Sequence, residues 1–223
     1  MSEWHLLLAS ESPRRRELLR LLGLPFEVTV SDVRETPGAE ETPSELVTRL
    51  SQAKARKAEF NGRQGTLVVA CDTIVALRDG PAEAEILGKP RDPEAAMAML
   101  RRLRGRSHVV YSAVTVWAPG HEADTDLVET ELTMRCYTDA EIRTYVASGD
   151  PLDKAGAYAI QHEGFDPVEE IHGCYASVMG LPLCHLARRL REWGMELDTD
   201  VPTVCQTHTY HVCHVYQEIV SPR

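Results

Sequence analysis

Residues 8–23, LASESPRRRELLRLLG, place Arg14, Arg15 and Arg16 in the first turn of a predicted helix. Ser12 suits the N-cap, Pro13 the first helical position, and Leu18, Leu19 and Leu22 recur at helical spacing. The unpaired N–H groups of a helix N-terminus already carry partial positive charge, so each cation there costs about 0.3–1 kcal/mol. The residue types alone leave two readings open. One is a solvated basic face, with Glu11 and Glu17 as local partners. The other is an anion site, where backbone N–H groups, the hydroxyls of Ser10 and Ser12 and the guanidinium forks of Arg14 and Arg15 converge on a phosphate.

Further along lie carboxylates and lysines with the complementary chemistry. Asp72 follows TLVVAC (66–71), an apolar β-rich run expected to be a strand buried on both faces and to end there. Open α/β sheets collect ligands at the carboxyl ends of their strands, although an aspartate there also caps turns. Glu35, in SDVRETPG, is a loop carboxylate, and Lys54 and Lys89 taken singly are ordinary amphipathic surface lysines.

The elements that must position these residues read as strands alternating with helices. WHLLLA and FEVTV (26–30) are short strands; Thr42, Pro43 and Glu45 form a capping box opening a helix with stripe Leu46, Leu50, Ala53. Lys54 lies beside that stripe. After TIVAL a turn is expected at Asp79 and Gly80, followed by AEILGKP and a helix from Asp92 and Pro93 to Gly105. HVVYSAVTVW and LVETELTMRCY read as antiparallel strands, and Thr138, Glu141 and Gly149 delimit another helix. KAGAYAIQ (154–161) reads as a strand or extended segment, and GLPLCHLARRLREWG as the final amphipathic helix. The fold class expected is α/β, a mixed and partly antiparallel sheet flanked by helices, in one domain over 1–195 with an extension over 196–223.

Of 223 residues, 43% are apolar, enough for a sizeable core, and 24 Lys and Arg against 34 Asp and Glu give a net charge of −10. That charge repels polymeric nucleic acid and anionic membranes but leaves room for a small anion in a locally basic cleft. No apolar run reaches the roughly 18–20 residues of a membrane span, and MSEWHLLLAS has an acidic start and too short an apolar stretch for a secretory signal. A cytoplasmic protein with its six cysteines reduced is expected.

LASESPRRRELL, VSDVRET, LSQAKA, ACDTIV, GKPRD, DKAGAYAIQ and VMGLPL, in this order and spacing across residues 6–193, resemble the Maf family of nucleoside triphosphate pyrophosphatases. The resemblance implies an inosine-triphosphatase-like fold with a central cleft, cleavage between the α- and β-phosphates, and a divalent cation, Mg²⁺ or Mn²⁺. It matches Ser10, Ser12 and Arg15 to phosphate binding, Lys54 and Lys89 to phosphate-facing lysines, and Asp72 to the catalytic aspartate. Glu35 matches the family's acidic loop, and Glu35 with Asp72 are the candidate metal ligands. Arg14, Thr73 and Gln161 resemble the branch that cleaves dTTP and UTP rather than 7-methyl-GTP. A Gln161 amide suits the N3–H and O4 edge of thymine or uracil. The alternatives are a 7-methyl-GTP-type or inosine-type pyrophosphatase and a non-catalytic nucleotide-binding regulator of cell division; a homodimer is also implied by the resemblance. Two positions depart from the family pattern: Cys71 stands in place of alanine and His162 in place of glycine.

The tail CQTHTYHVCH carries Cys205, His208, His211, Cys213 and His214. Their spacing fits no zinc motif, and on a strand they would scatter over both faces. A docked or disordered extension is favoured over a metal site.

Overall fold

Buried β-rich runs and capped helices assemble as their pattern demands in the computed structural model, which describes residues 4–60, 62–78 and 84–220. The strands are β1 (His5–Ala9), β2 (Phe26–Thr29), β3 (Thr66–Arg78), β4 (Ala84–Leu87), β5 (Ser107–Trp117), β6 (Asp124–Met134) and β7 (Val168–His172). The helices are α1 (Pro13–Arg20), α2 (Pro43–Arg56), α3 (Pro93–Leu103), α4 (Asp139–Ala147), α5 (Tyr175–Val178), α6 (Leu183–Glu192), α7 (Val201–Thr209) and α8 (Tyr216–Val220). The turn expected at Asp79 and Gly80 lies outside the described residues.

The seven strands form one mixed sheet ordered β2-β1-β3-β5-β6-β7, with β4 also paired to β3. β1 runs parallel to β2 and β3; every other pairing is antiparallel. β3 organises the molecule. One of its edges pairs with β5 from Val68 to Ala76, whereas the other pairs with β1 only as far as Val69 and with β4 only from Val75. Between those two partners its edge is open, just where β1 and β2 end.

Side chains alternate across β3, so its two faces pack against different helices. Ile74 and Ala76 join Leu46, Val47 and Leu50 of α2 on one face. On the other, Leu67, Val69 and Cys71 pack with Leu18, Leu19 and Leu22 near α1 and with Leu183, Leu186 and Leu190 of α6. Val75 and Leu77, on this same face, belong instead to a separate cluster with Leu100 of α3 and Ile142 and Tyr145 of α4. Two apolar cores thus share one sheet face and leave a gap between them at Thr73 and Val75.

Several expectations need correction. β3 does not end at Asp72 but continues to Arg78, because Asp72 and Thr73 both find polar partners and the strand passes through them. KAGAYAIQ is not a strand. Residues 155–157 form a tight turn in which Gly156 has φ +73° and Ala157 φ +59°, and Gly156 N–H donates to Gly88 O at 3.2 Å. A Cβ on Gly156 would sit 3.1 Å from Val75, so the close approach requires glycine there. A further strand that the sequence pattern did not assign, the charged run VEEIH, is β7. Nor is α6 the final helix: the tail forms α7, capped by Asp200, and α8, burying Val201 and Ile219 against the α1/α6 cluster. Among the described residues no helix is long and apolar enough to cross a membrane, and all six cysteines carry free thiols.

Candidate active site

A cleft of about 770 Å³ opens at the gap between the two cores. Ser10, Ser12, Arg14, Arg15, Glu35, Lys54, Thr73, Lys89 and Gln161, all singled out from the sequence, line it. Asp72, the remaining candidate, lies just beneath the surface at 6% exposure, covered by the Lys54 ammonium. The wider cleft of about 1150 Å³ on the solvent side of α2 shares none of these residues.

The arginine-bearing turn divides its charges. Arg16 turns away, donating to Glu11 O at 3.1 Å, while Arg14 and Arg15 face the cleft. Arg15 is held by three acceptors: Gly180 O at 2.9 Å, Ser10 Oγ at 3.4 Å and Thr73 Oγ1 at 3.3 Å. Ser112 Oγ–H donates to Ser177 O at 2.7 Å, so in its 2.8 Å bond with Ser112 the donor is Thr73. The Thr73 hydroxyl is therefore committed to Arg15 and Ser112. Gly180, at φ +108°, also brings its backbone against Arg15, and a Cβ there would lie 3.3 Å from Arg15 Nε. Ser10 Oγ accepts from Arg15 and from Ser12 N–H at 3.2 Å, leaving its own proton for a ligand.

Lys54 comes from the opposite face of the sheet, on α2, and reaches the open edge of β3. Its Nζ donates to Glu35 Oε1 at 2.6 Å and Asp72 Oδ1 at 2.5 Å. Burial pushes the Glu35 carboxyl up, but the hydrogen bond and charge of Lys54, with Lys89 and Arg15 behind them, outweigh it and hold the group below its ordinary range. Lys89 and Arg14 line the cleft without an ion-pair partner among the described residues.

Lys154 was missed in the sequence, although it lies inside the quoted block DKAGAYAIQ. It too lines the cleft, but its three N–H donors are spent on Asp150 O at 2.6 Å, Asp150 Oδ1 at 2.9 Å and Asp153 Oδ1 at 2.7 Å. These bonds clasp the 150–153 turn to the cleft wall. Gly180 and Ser112 were missed as well; VMGLPL contains the first, and nothing local marks the second.

Glu35 and Asp72 fit a hard divalent cation. Both are carboxylates, and both already share one cationic atom, Lys54 Nζ. Among the described residues no three His, Cys, Asp or Glu side chains converge as a ready metal cage. Mg²⁺ and Mn²⁺ suit such a pair, since they take only one or two protein carboxylates when substrate phosphates complete the shell. The tail residues Cys205, His208, His211, Cys213 and His214 form no such cage either. Burial pushes the Cys71 thiol up to about 11, so at this departure from the family pattern the side chain acts as a small apolar group.

A mixed sheet that opens a cationic cleft over a buried carboxylate, at the ends of its parallel strands, offers the donors and the acid that hydrolysis of a phosphoanhydride needs. Comparison with known sequences agrees: the profile of the Maf-like protein family matches residues 5–193. The chain belongs to the Maf family. It is 43% identical over 190 residues to a dTTP/UTP pyrophosphatase of Dehalococcoides mccartyi, covering 85% of this chain and 82% of the relative. It is equally 43% identical over 192 residues to a dTTP/UTP pyrophosphatase of Bacillus cereus, covering 86% and 97%. A solved nucleoside-triphosphatase/dITP/XTP pyrophosphatase of Mycobacterium abscessus aligns at 16% identity and a TM-score of 0.36, over 60% of this chain and 75% of that one.

Proposed function

We propose that the protein hydrolyses dTTP and UTP to the monophosphate and pyrophosphate, directing water at the α-phosphorus. The observation that carries this reading is the sharing of one cleft by Arg15, Lys54 and Lys89, with Asp72 and Glu35 bound to Lys54 at its floor. A triphosphate carries close to four negative charges near neutral pH, and these must be neutralised before a nucleophile can approach. Arg15 and the α1 N-terminus, with Ser10 and Ser12, take one end of the polyphosphate, and Lys89 another. Lys54 moves from its carboxylates to a phosphate oxygen when substrate arrives, which uncovers Asp72. Asp72 then orients the water and accepts its proton, in a reaction governed mostly by positioning and electrostatics. A divalent cation held by Glu35 and Asp72 would supply charge neutralisation on the phosphate oxygens. Gln161 faces the base, and Arg14 lines the same cleft. The names of the relatives support the pyrimidine preference, and the free thiols favour the cytoplasm.

The test is a nucleotide panel with Mg²⁺ or Mn²⁺, scoring pyrophosphate against orthophosphate. Pyrophosphate from dTTP and UTP is the expected result. Orthophosphate would locate the cut at the wrong bond, preference for 7-methyl-GTP would reassign the base, and binding without turnover would make the protein a nucleotide sensor.

A further inference from the structure

The segment that ends at Gln161 is held from behind the cleft wall. His162 N–H donates to Ala159 O at 3.2 Å, so residues 159–162 form a turn with Gln161 at its third position, exposed to the cleft. Tyr145 of α4 grips that turn at both ends. Its hydroxyl accepts from Ala159 N–H at 2.9 Å, and its ring meets the His162 ring edge-on at 4.6 Å between centroids. The hydroxyl proton goes to Asp150 Oδ2 at 2.7 Å, and Asp150 is itself fixed by Lys154. Tyr145 is 2% exposed and forms no part of the cleft lining.

A glutamine can offer either its carbonyl or its NH₂ group, so one that is free to re-aim satisfies the uracil edge and the opposite pattern of cytosine alike. Discrimination requires the side chain to be held within roughly 0.5 Å and 10–20°. Resting on the reading of Gln161 as the residue that faces the base, we propose that Tyr145 is a positioning residue for base selection. It fixes both ends of the Gln161 turn without touching the nucleotide, so its loss relaxes selectivity while leaving the phosphate chemistry intact.

Tyr145→Phe keeps the ring and removes the hydroxyl. Steady-state kinetics on UTP and CTP should show kcat/KM for UTP falling about tenfold, the scale of one lost buried hydrogen bond. The fall should come through KM, with kcat held and CTP unchanged. Tyr137→Phe is the matched control. Tyr137 is buried in the same cluster, but its hydroxyl donates to Leu100 O at 2.8 Å and its ring packs on Phe165, both outside residues 159–162. It should leave the UTP/CTP ratio alone. Equal losses on both nucleotides, or the same ratio change in both variants, would overturn the inference. Amide hydrogen exchange over residues 159–166 of the nucleotide-free protein separates this from the assignment of substrate. Exchange should quicken in Tyr145→Phe and not in Tyr137→Phe, whatever the wild type cleaves; unchanged exchange overturns the inference. Failure of the wild type to cleave dTTP or UTP counts against the proposed function alone.

Discussion

The Lys54 ammonium bridges two carboxylates, lying 2.6 Å from Glu35 Oε1 and 2.5 Å from Asp72 Oδ1. The two contacts differ in kind. Glu35 is 59% exposed at its side chain and keeps its water, whereas Asp72, at 8%, depends on Lys54 for compensation. Removing one partner of a buried pair costs about 3–5 kcal/mol, because the other charge is left without compensation. Lys54→Met is therefore expected to destabilise the fold by about 3 kcal/mol in urea unfolding at pH 7. The double variant Lys54→Met/Asp72→Asn should recover most of that loss. An unfolding midpoint unmoved by Lys54→Met would show that the two groups are not coupled.

Asp72→Asn alone separates chemistry from binding. The amide is nearly isosteric and still accepts from Lys54, so fold and nucleotide affinity should survive. Loss of a general base typically lowers rate about 10²–10⁴-fold. The expected outcome is a kcat reduced by that factor with little change in nucleotide affinity measured by calorimetry, and near-normal turnover would remove Asp72 from its assigned role.

The helices that carry the site could be read in the sequence because their signals are local, whereas Glu35, Lys54 and Lys89 stood out only through the resemblance of blocks spread along the chain. Ser12 with Pro13, the Thr42/Glu45 box and the Thr138/Glu141 box each announce a helix through contacts three residues apart, and all three form. The failures are long-range. Asp72 resembled a strand end because an apolar run stops there, yet the strand continues because Arg15, 58 residues away, satisfies Thr73. KAGAYAIQ alternates like a strand, but Gly88 and Val75 impose a turn on it. The tail's threonines and histidines are weak helix formers and announced no element; Asp200 as a cap and Pro202 in the first turn were the available signal, and packing on α6 completes the helix.

A buried histidine, His108, and a half-buried one, His185, set an acid limit on stability. Burial pushes His108 down from 6.5 to about 4, and burial first, with Arg188 and Arg189 adding to it against Asp126, does the same for His185. Between pH 4 and 6.5 the unfolded chain binds protons at these positions that the folded protein refuses, so stability rises with pH across that window and levels off above it. Urea midpoints should therefore fall steadily from pH 7 to pH 5, and His108→Gln should flatten the slope. A slope identical in that variant would assign the acid sensitivity elsewhere.

Residues 196–223 are expected to serve stability rather than catalysis. Among the described residues the cleft lining contains none beyond Gly180, whereas α7 and α8 bury Val201 at 1% and Ile219 at 8% exposure against the cluster that holds α1 and α6. Thr199 Oγ1 also donates to Leu22 O at 3.0 Å, tying the extension to the end of α1. Burying a Val or Ile side chain is worth about 1.5–3 kcal/mol, so deleting residues 196–223 should cost roughly 3–5 kcal/mol and lower the thermal midpoint by many degrees. Each molecule that remains folded should turn over nucleotide at the full-length rate, because Arg15 keeps its contacts with Gly180, Ser10 and Thr73. Activity titrated against folded fraction in urea distinguishes the outcomes. A truncated chain that is as stable as the parent would make the extension a free appendage, and one that is folded but slow would extend the catalytic unit past residue 195.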